Sequence, residues 1–205
     1  MWSPDDGLDM KNVLIINGHQ PHPSSPGALN GALADLAHHT LEQEGATVRS
    51  VLSAEGWQAD REIDNHLWAD LIFLQFPLNS MSVPWSLKRY LDEVYTAGMN
   101  GRLARGDGRT RSDPSKQYGS GGRMQPRKYA LSVTLNAPRS AFGNPDHILF
   151  EGRTIDDLLA PVHINFGFFG LAPLPTFAAY DVKKNSDLDR DFTEFRKHVQ
   201  SLLAS

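Results

Sequence analysis

Three observations in this sequence predict an α/β fold with a parallel sheet buried beneath helices. Apolar runs such as Val13 to Ile16 and Leu71 to Leu74 lack polar alternation, which suits strands covered on both faces. Helical spacing follows the first of these runs: Leu29, Leu33, Leu36, Ala37 and Leu41 fall on one face. Each strand then ends in a polar or proline-bearing turn, and in open α/β sheets that edge binds ligands.

The segment Asn12 to Leu36 organises the rest. Val13 to Ile16 is strand one, and Asn17-Gly18-His19 breaks it. The stretch His19 to Pro26 is too proline-rich for helix and too polar for core. A helix starting after Gly27 offers unpaired N–H groups and a positive dipole end to an anion, and Ser24, Ser25 and Gly27 are suited to capping it or to holding a phosphate. Gly45 ends this helix. Thr47 to Leu52 is a second strand and a short helix reaches Trp68. Asp70 to Phe76 is a third, central strand, stopped by Pro77. A right-handed crossover connects such strands.

Prolines 77 and 84 bracket the next turn, and the following helix turns Val83, Leu87, Leu91 and Val94 inward. A turn so fixed suits backbone groups that read the edge of a flat ligand; a plain connection is the alternative. Gly98 to Pro126 has no apolar period and forms the one basic stretch, with Arg102, Arg105, Arg109, Arg111 and Lys116 among its residues. Loops of that length are functional or mobile, so this one is either a solvated surface or a segment that meets a phosphorylated ligand or a partner subunit. Tyr129 to Leu135 is strand four and runs into a third turn, Asn136-Ala137-Pro138. An irregular insertion from Ala141 to Arg153 precedes one helix over Ile155 to Phe169, whose Phe166, Phe168 and Phe169 suit core or a dimer interface. Pro173 to Tyr180 is the last strand, and a final amphipathic helix carries Phe192, Phe195, Val199, Leu202 and Leu203.

Composition narrows the function. The 205 residues, 40% hydrophobic and 21% charged, are enough for one full core at residues 11–205, with residues 1–10 a polar, disordered leader and Met10 an alternative start. With no cysteine, disulfides, thiolate metal sites and cysteine nucleophiles are excluded, which fits a cytoplasmic protein. A net charge of −4 gives no reason to expect nucleic acid or an anionic membrane, and no apolar run is long enough to span a bilayer. HExxH, GxSxG and GxxxxGK[ST] are absent, His38 and His39 are adjacent and diverge, and Asp156-Asp157 reads as a helix-start dipole pairing. No nucleophile has a base, so any reaction belongs to a bound cofactor.

Three motifs together carry a family resemblance: Lys11 to Gly18; Asp107-Gly108-Arg109-Thr110-Arg111 with Asp113 to Lys116 and Tyr118 to Gly122; and Pro173-Leu174-Pro175-Thr176-Phe177, with Arg196-Lys197-His198 in support. From Met10 onward the chain resembles the flavodoxin-like NAD(P)H:quinone oxidoreductases, most closely the bacterial modulator of drug activity B branch. The resemblance implies a three-layer flavodoxin-like sandwich with a five-stranded parallel sheet in the order 2-1-3-4-5. It also implies a cytoplasmic homodimer binding FAD, with FMN as the lesser alternative. NADPH or NADH would donate hydride and a quinone accept it, alternating in one pocket. Carried over by position, Ser25, Pro26, Gly27, Ala28, Leu29, Asn30, Gly31 and Ala32 would hold the pyrophosphate. Pro77, Leu78, Asn79, Ser80 and Met81, with Thr134, Leu135, Asn136 and Ala137, would edge the isoalloxazine, and Tyr118 would contact the cofactor. Thr134 and Asn136 would donate to the reduced ring as the catalytic candidates. Ser80 and Met81 stand where such enzymes often carry an aromatic, which alters the pocket. An electron carrier and a non-catalytic flavodoxin-like regulatory module are the alternatives.

Overall fold

A computed structural model describes residues 10–23 and 25–204. Residues 1–9 of the expected leader and Ser24 lie outside the described residues; Met10 is buried against Val13, Leu33 and Ala37 in the core. The elements are β1 (Asn12–Asn17), α1 (Ala28–Gln43), β2 (Thr47–Leu52), α2 (Ala59–Trp68), β3 (Leu71–Pro77), α3 (Trp85–Gly98), β4 (Lys128–Thr134), α4 (Ile155–Leu158), α5 (Ala160–Phe168), β5 (Ala172–Pro173), β6 (Phe177–Ala179) and α6 (Leu188–Leu202). All pairings among the named strands are parallel, in the order β2-β1-β3-β4-β5, with β6 also on β4.

The missing alternation in β1, β3 and β4 has a direct cause. Val13 and Ile15 point into a core with Leu33, Ala37 and Leu41 of α1 and Phe195 and Val199 of α6. Leu14 and Ile16 point the opposite way, into a core with Ile63 of α2 and Leu87, Tyr90, Leu91 and Val94 of α3. Both faces are apolar because both are covered. β2 is the edge strand and shows it: Thr47, Arg49 and Ser50 are exposed, and the Arg49 guanidinium lies 3.9 Å from the Trp68 ring centroid.

Two expected elements are divided. The helix foreseen over residues 155–169 breaks at Leu159, because Pro161 has no N–H to continue the ladder. Its first piece begins with a capping box, Thr154 Oγ1 accepting from Asp157 N (3.1 Å) and Asp157 Oδ2 accepting from Thr154 N (2.7 Å). Asp156 does more than face the dipole: its carboxylate lies 3.2 Å from His163 Nε2, whose Nδ1 is 2.7 Å from the Tyr129 hydroxyl. The last strand likewise forms two pieces, β5 beside Lys128 and Tyr129 and β6 beside Ser132 to Thr134, with Pro175 between them.

The long segment after α3 contains no helix or extended strand, yet it is anchored. Leu103, Ala104 and Met124 are buried, Arg102 pairs with Asp64, and Arg127 donates to the carbonyls of Ala69 (3.0 Å) and Leu67 (2.5 Å).

Between α2 and α3 lies a buried polar group of the kind that titrates. His66 Nδ1 donates to the Glu62 carbonyl at 2.7 Å, and Glu62 Oε2 accepts from the Tyr90 hydroxyl at 2.8 Å. Burial pushes the His66 imidazole down to about 4 from 6.5, so the folded chain keeps it neutral where the unfolded chain protonates it. This contribution is complete above pH 6.5 and is lost as pH falls toward 4, on the order of 3 kcal/mol in total. Urea unfolding between pH 7.5 and 4.5 should therefore show a falling midpoint, and His66→Leu should flatten that part of the profile; an unchanged slope would contradict it.

Candidate functional site

Three loops meet at the carboxyl edge of the sheet. The first, after β1, places Gly27 at φ 85° as the N-cap of α1. Among the described residues no side chain hydrogen-bonds to the first-turn N–H groups of Ala28, Leu29 and Asn30, and Ser25 does not act as the cap. The left-handed conformation favours glycine, and a Cβ there would run into the His19 ring. His19 is buried, with Nε2 3.3 Å from the Ser25 carbonyl.

The second loop follows β3. Asn79 and Ser82 exchange backbone hydrogen bonds of 2.9 and 3.0 Å around Ser80 (φ 49°) and Met81 (φ 64°), a two-residue turn with both central residues left-handed. Without glycine this costs roughly 1–2 kcal/mol per residue. Such strain is characteristic of functional loops. The third loop follows β4. Thr134 O accepts from Leu78 N (2.9 Å), which ties the second loop to the third, and Leu135 N donates to Ala179 O (3.0 Å). Asn136 is exposed at the cleft.

A chain of buried amides fixes these loops from below. Ser132 Oγ donates to Gln75 Oε1 (2.6 Å), Gln75 Nε2 to Asn30 Oδ1 (3.0 Å), and Asn30 Nδ2 to Asn17 Oδ1 (2.7 Å), which also accepts from His19 N (3.1 Å). It crosses β4, β3, α1 and β1 in one direction.

The loops enclose three adjoining cavities. One of about 370 Å³ is bounded by His22, Ser25, Pro77 to Ser80, Thr134 to Asn136, Val182 and Lys183. A second, about 200 Å³, runs along Ser25 to Asn30 with His19, Pro77, Thr134, Val182 and Lys183. A third, about 280 Å³, is lined by Leu78, Ser80, Met81, Leu135, Asn136, Ala137 and Phe142. Most of the expected site residues thus meet in one cleft. Gly31 and Ala32 lie further along α1 and do not line it. Asn30 lines it, but its side chain is engaged by Asn17 and Gln75. Tyr118 stands apart: it is 67% exposed, rests on Phe168 with centroids 5.5 Å apart, and has the Arg109 guanidinium 5.2 Å from its ring.

His19, His22, Phe142, Val182 and Lys183 belong to the cleft without having been singled out. Val182 and Lys183 follow the last strand, and their place at its carboxyl end was the available signal. Phe142 sits in the irregular insertion, where no periodicity points to it; its ring packs on Phe150 and Tyr180.

A parallel sheet ordered 2-1-3-4-5 with a cleft across its strand ends defines a flavodoxin-like protein. The family model for the flavodoxin-like fold matches residues 11–203, and the chain belongs to that family, in the modulator of drug activity B branch. It is 35% identical over 191 residues to NADPH:quinone oxidoreductase MdaB of Haemophilus influenzae, covering 93% of this chain and 98% of that one. It is 39% identical over 193 residues to an uncharacterized protein of Schizosaccharomyces pombe, covering 94% and 97%. Among solved structures, a putative quinone reductase from Klebsiella pneumoniae superposes with a TM-score of 0.72 at 23% identity, covering 95% of this chain and 84% of that one.

Two substitutions test the site's construction. Gly27→Ala should destabilise the protein by about 1–3 kcal/mol, through left-handed strain and the displaced His19 ring, measurable as a lower urea midpoint. Gln75→Leu leaves Ser132 Oγ and Asn30 Oδ1 buried without their partner and should cost about 2–4 kcal/mol. Wild-type midpoints in either variant would contradict the corresponding account.

Proposed function

We propose that the protein is an FAD-dependent NAD(P)H:quinone oxidoreductase that works by alternating substrates. The observation that carries this reading is the cleft formed by three loops at the sheet's carboxyl edge, in a chain 35% identical to an NADPH:quinone oxidoreductase. The residues present fit a flavin. The N–H groups at the start of α1 suit phosphate oxygens, Leu78, Leu135, Ala137 and Phe142 suit an apolar ring, and among the described residues no carboxylate lines the cleft to repel a phosphate. We take FAD over FMN; a Treponema denticola protein in complex with FMN shares the fold at 18% identity, TM-score 0.60, over 95% of this chain and 96% of that one.

A flavin bound there supplies two-electron chemistry, so that NAD(P)H, a proton and a quinone give NAD(P)+ and a hydroquinone. The chain's own part is to bind and orient. The Thr134 hydroxyl, at the end of β4, and the Asn136 amide, two residues on, both line the cleft and would donate toward charge developing on the ring. The Ser80–Met81 turn and Phe142 wall the side on which nicotinamide and quinone would alternate. Exposed Tyr118, Ile148, Leu149 and Ile164 support a homodimer in which Tyr118 reaches the cofactor of the other copy. We assign the protein to the cytoplasm, in keeping with its lack of cysteine; among the described residues no helix is long and apolar enough to cross a membrane.

Purified protein should carry a flavin spectrum that NADPH bleaches anaerobically and menadione restores, and mass analysis of the released cofactor should give FAD. A colourless protein that takes up neither FAD nor FMN would sink the reading. In stopped flow, Asn136→Ala should slow reduction by NADPH about tenfold or more, and an unchanged rate would remove Asn136 from its role.

A further inference from the structure

The cleft has an electrical asymmetry that its turns do not explain. Among the described residues its lining contains no Asp, Glu or Arg, and one lysine, Lys183. That lysine borders both the central cavity and the hollow along the start of α1. Its backbone is held there by design of the loop: Asp181 N donates to Ala137 O (3.1 Å), Val182 N to Leu135 O (3.2 Å), and Asp181 itself is left-handed at φ 53°. The strained residue turns the chain so that the next two positions border the cleft. Lys183 is exposed and has no carboxylate partner among the described residues. A cation facing the positive end of a helix is unfavourable unless something negative lies between them.

The geometry points to Lys183 as the residue that closes the phosphate site from the side opposite α1, pairing with the phosphate of the bound flavin and so favouring phosphorylated flavins over riboflavin. This assignment rests on the flavin reading proposed above and adds to it a residue from the loop after the last strand. The ammonium reaches the anion as a point charge on a flexible stem, while the α1 N–H groups supply direction. The same chemistry could serve the phosphate of the nicotinamide donor, and the test separates the two.

Apoprotein is titrated with riboflavin, FMN and FAD, in wild type, Lys183→Gln, Lys183→Arg and the neighbouring control Lys184→Gln. Lys183→Gln should weaken FMN and FAD about fivefold to tenfold, the range for a charge-assisted contact reduced by its exposure, and leave riboflavin within about twofold. Lys183→Arg should restore most of the loss, Lys184→Gln should behave as wild type, and added salt should erode the wild-type advantage for FMN and FAD. Equal weakening of all three flavins, or no weakening of any, overturns the assignment. A raised KM for NADPH, but not NADH, with flavin affinity unchanged also overturns it by giving the lysine to the donor's phosphate. Wild-type protein that binds none of the three flavins overturns the flavin reading and this assignment with it, a result distinct from any failure of the variant alone.

Discussion

Everything at the carboxyl edge of this sheet depends on one buried line of hydrogen bonds, from Ser132 through Gln75 and Asn30 to Asn17. Each link joins a different element, and each donor points the same way, so no amide can flip without leaving two buried groups unpaired. The result is that the start of α1 cannot shift relative to the strands that carry the second and third loops. A ligand that touches all three loops meets a surface already assembled, which lowers the ordering cost of binding.

The loops themselves use backbone strain in place of mass. Gly27, Ser80, Met81 and Asp181 all adopt left-handed conformations around the cleft, and only the first is a glycine. Each turns the chain sharply enough to bring backbone and side chain to the same opening. Three of the four would be relieved by glycine, so retaining larger residues there keeps side chains at the cleft at a cost in stability.

The fold was legible where burial is two-sided. Unalternating runs at Val13–Ile16 and Leu71–Leu74 marked central strands, and the three turns fell at the edge where the cleft opens. What escaped was local. Pro161 in an otherwise helical pattern, and Pro175 in an extended one, each split an element that periodicity alone reads as continuous. The amide chain was visible only as polar residues, Gln75 and Ser132, inside apolar strands, and nothing in the linear order pairs them. Phe142 belongs to an insertion without a period, and the Tyr118 loop lies away from the cleft of its own chain.

The division of the last strand also governs how this molecule can meet others. Sheets with an open, regular edge recruit further strands, which is a route to aggregation and to exchanged segments. Here that edge consists of two pieces, two and three residues long, interrupted by Pro175, and one of the pieces contains Pro173, which has no N–H to offer. Backbone templating is closed on that side. On that side of the sheet any contact with another molecule falls to side chains on helices and loops, and the strands that carry the cleft keep their register.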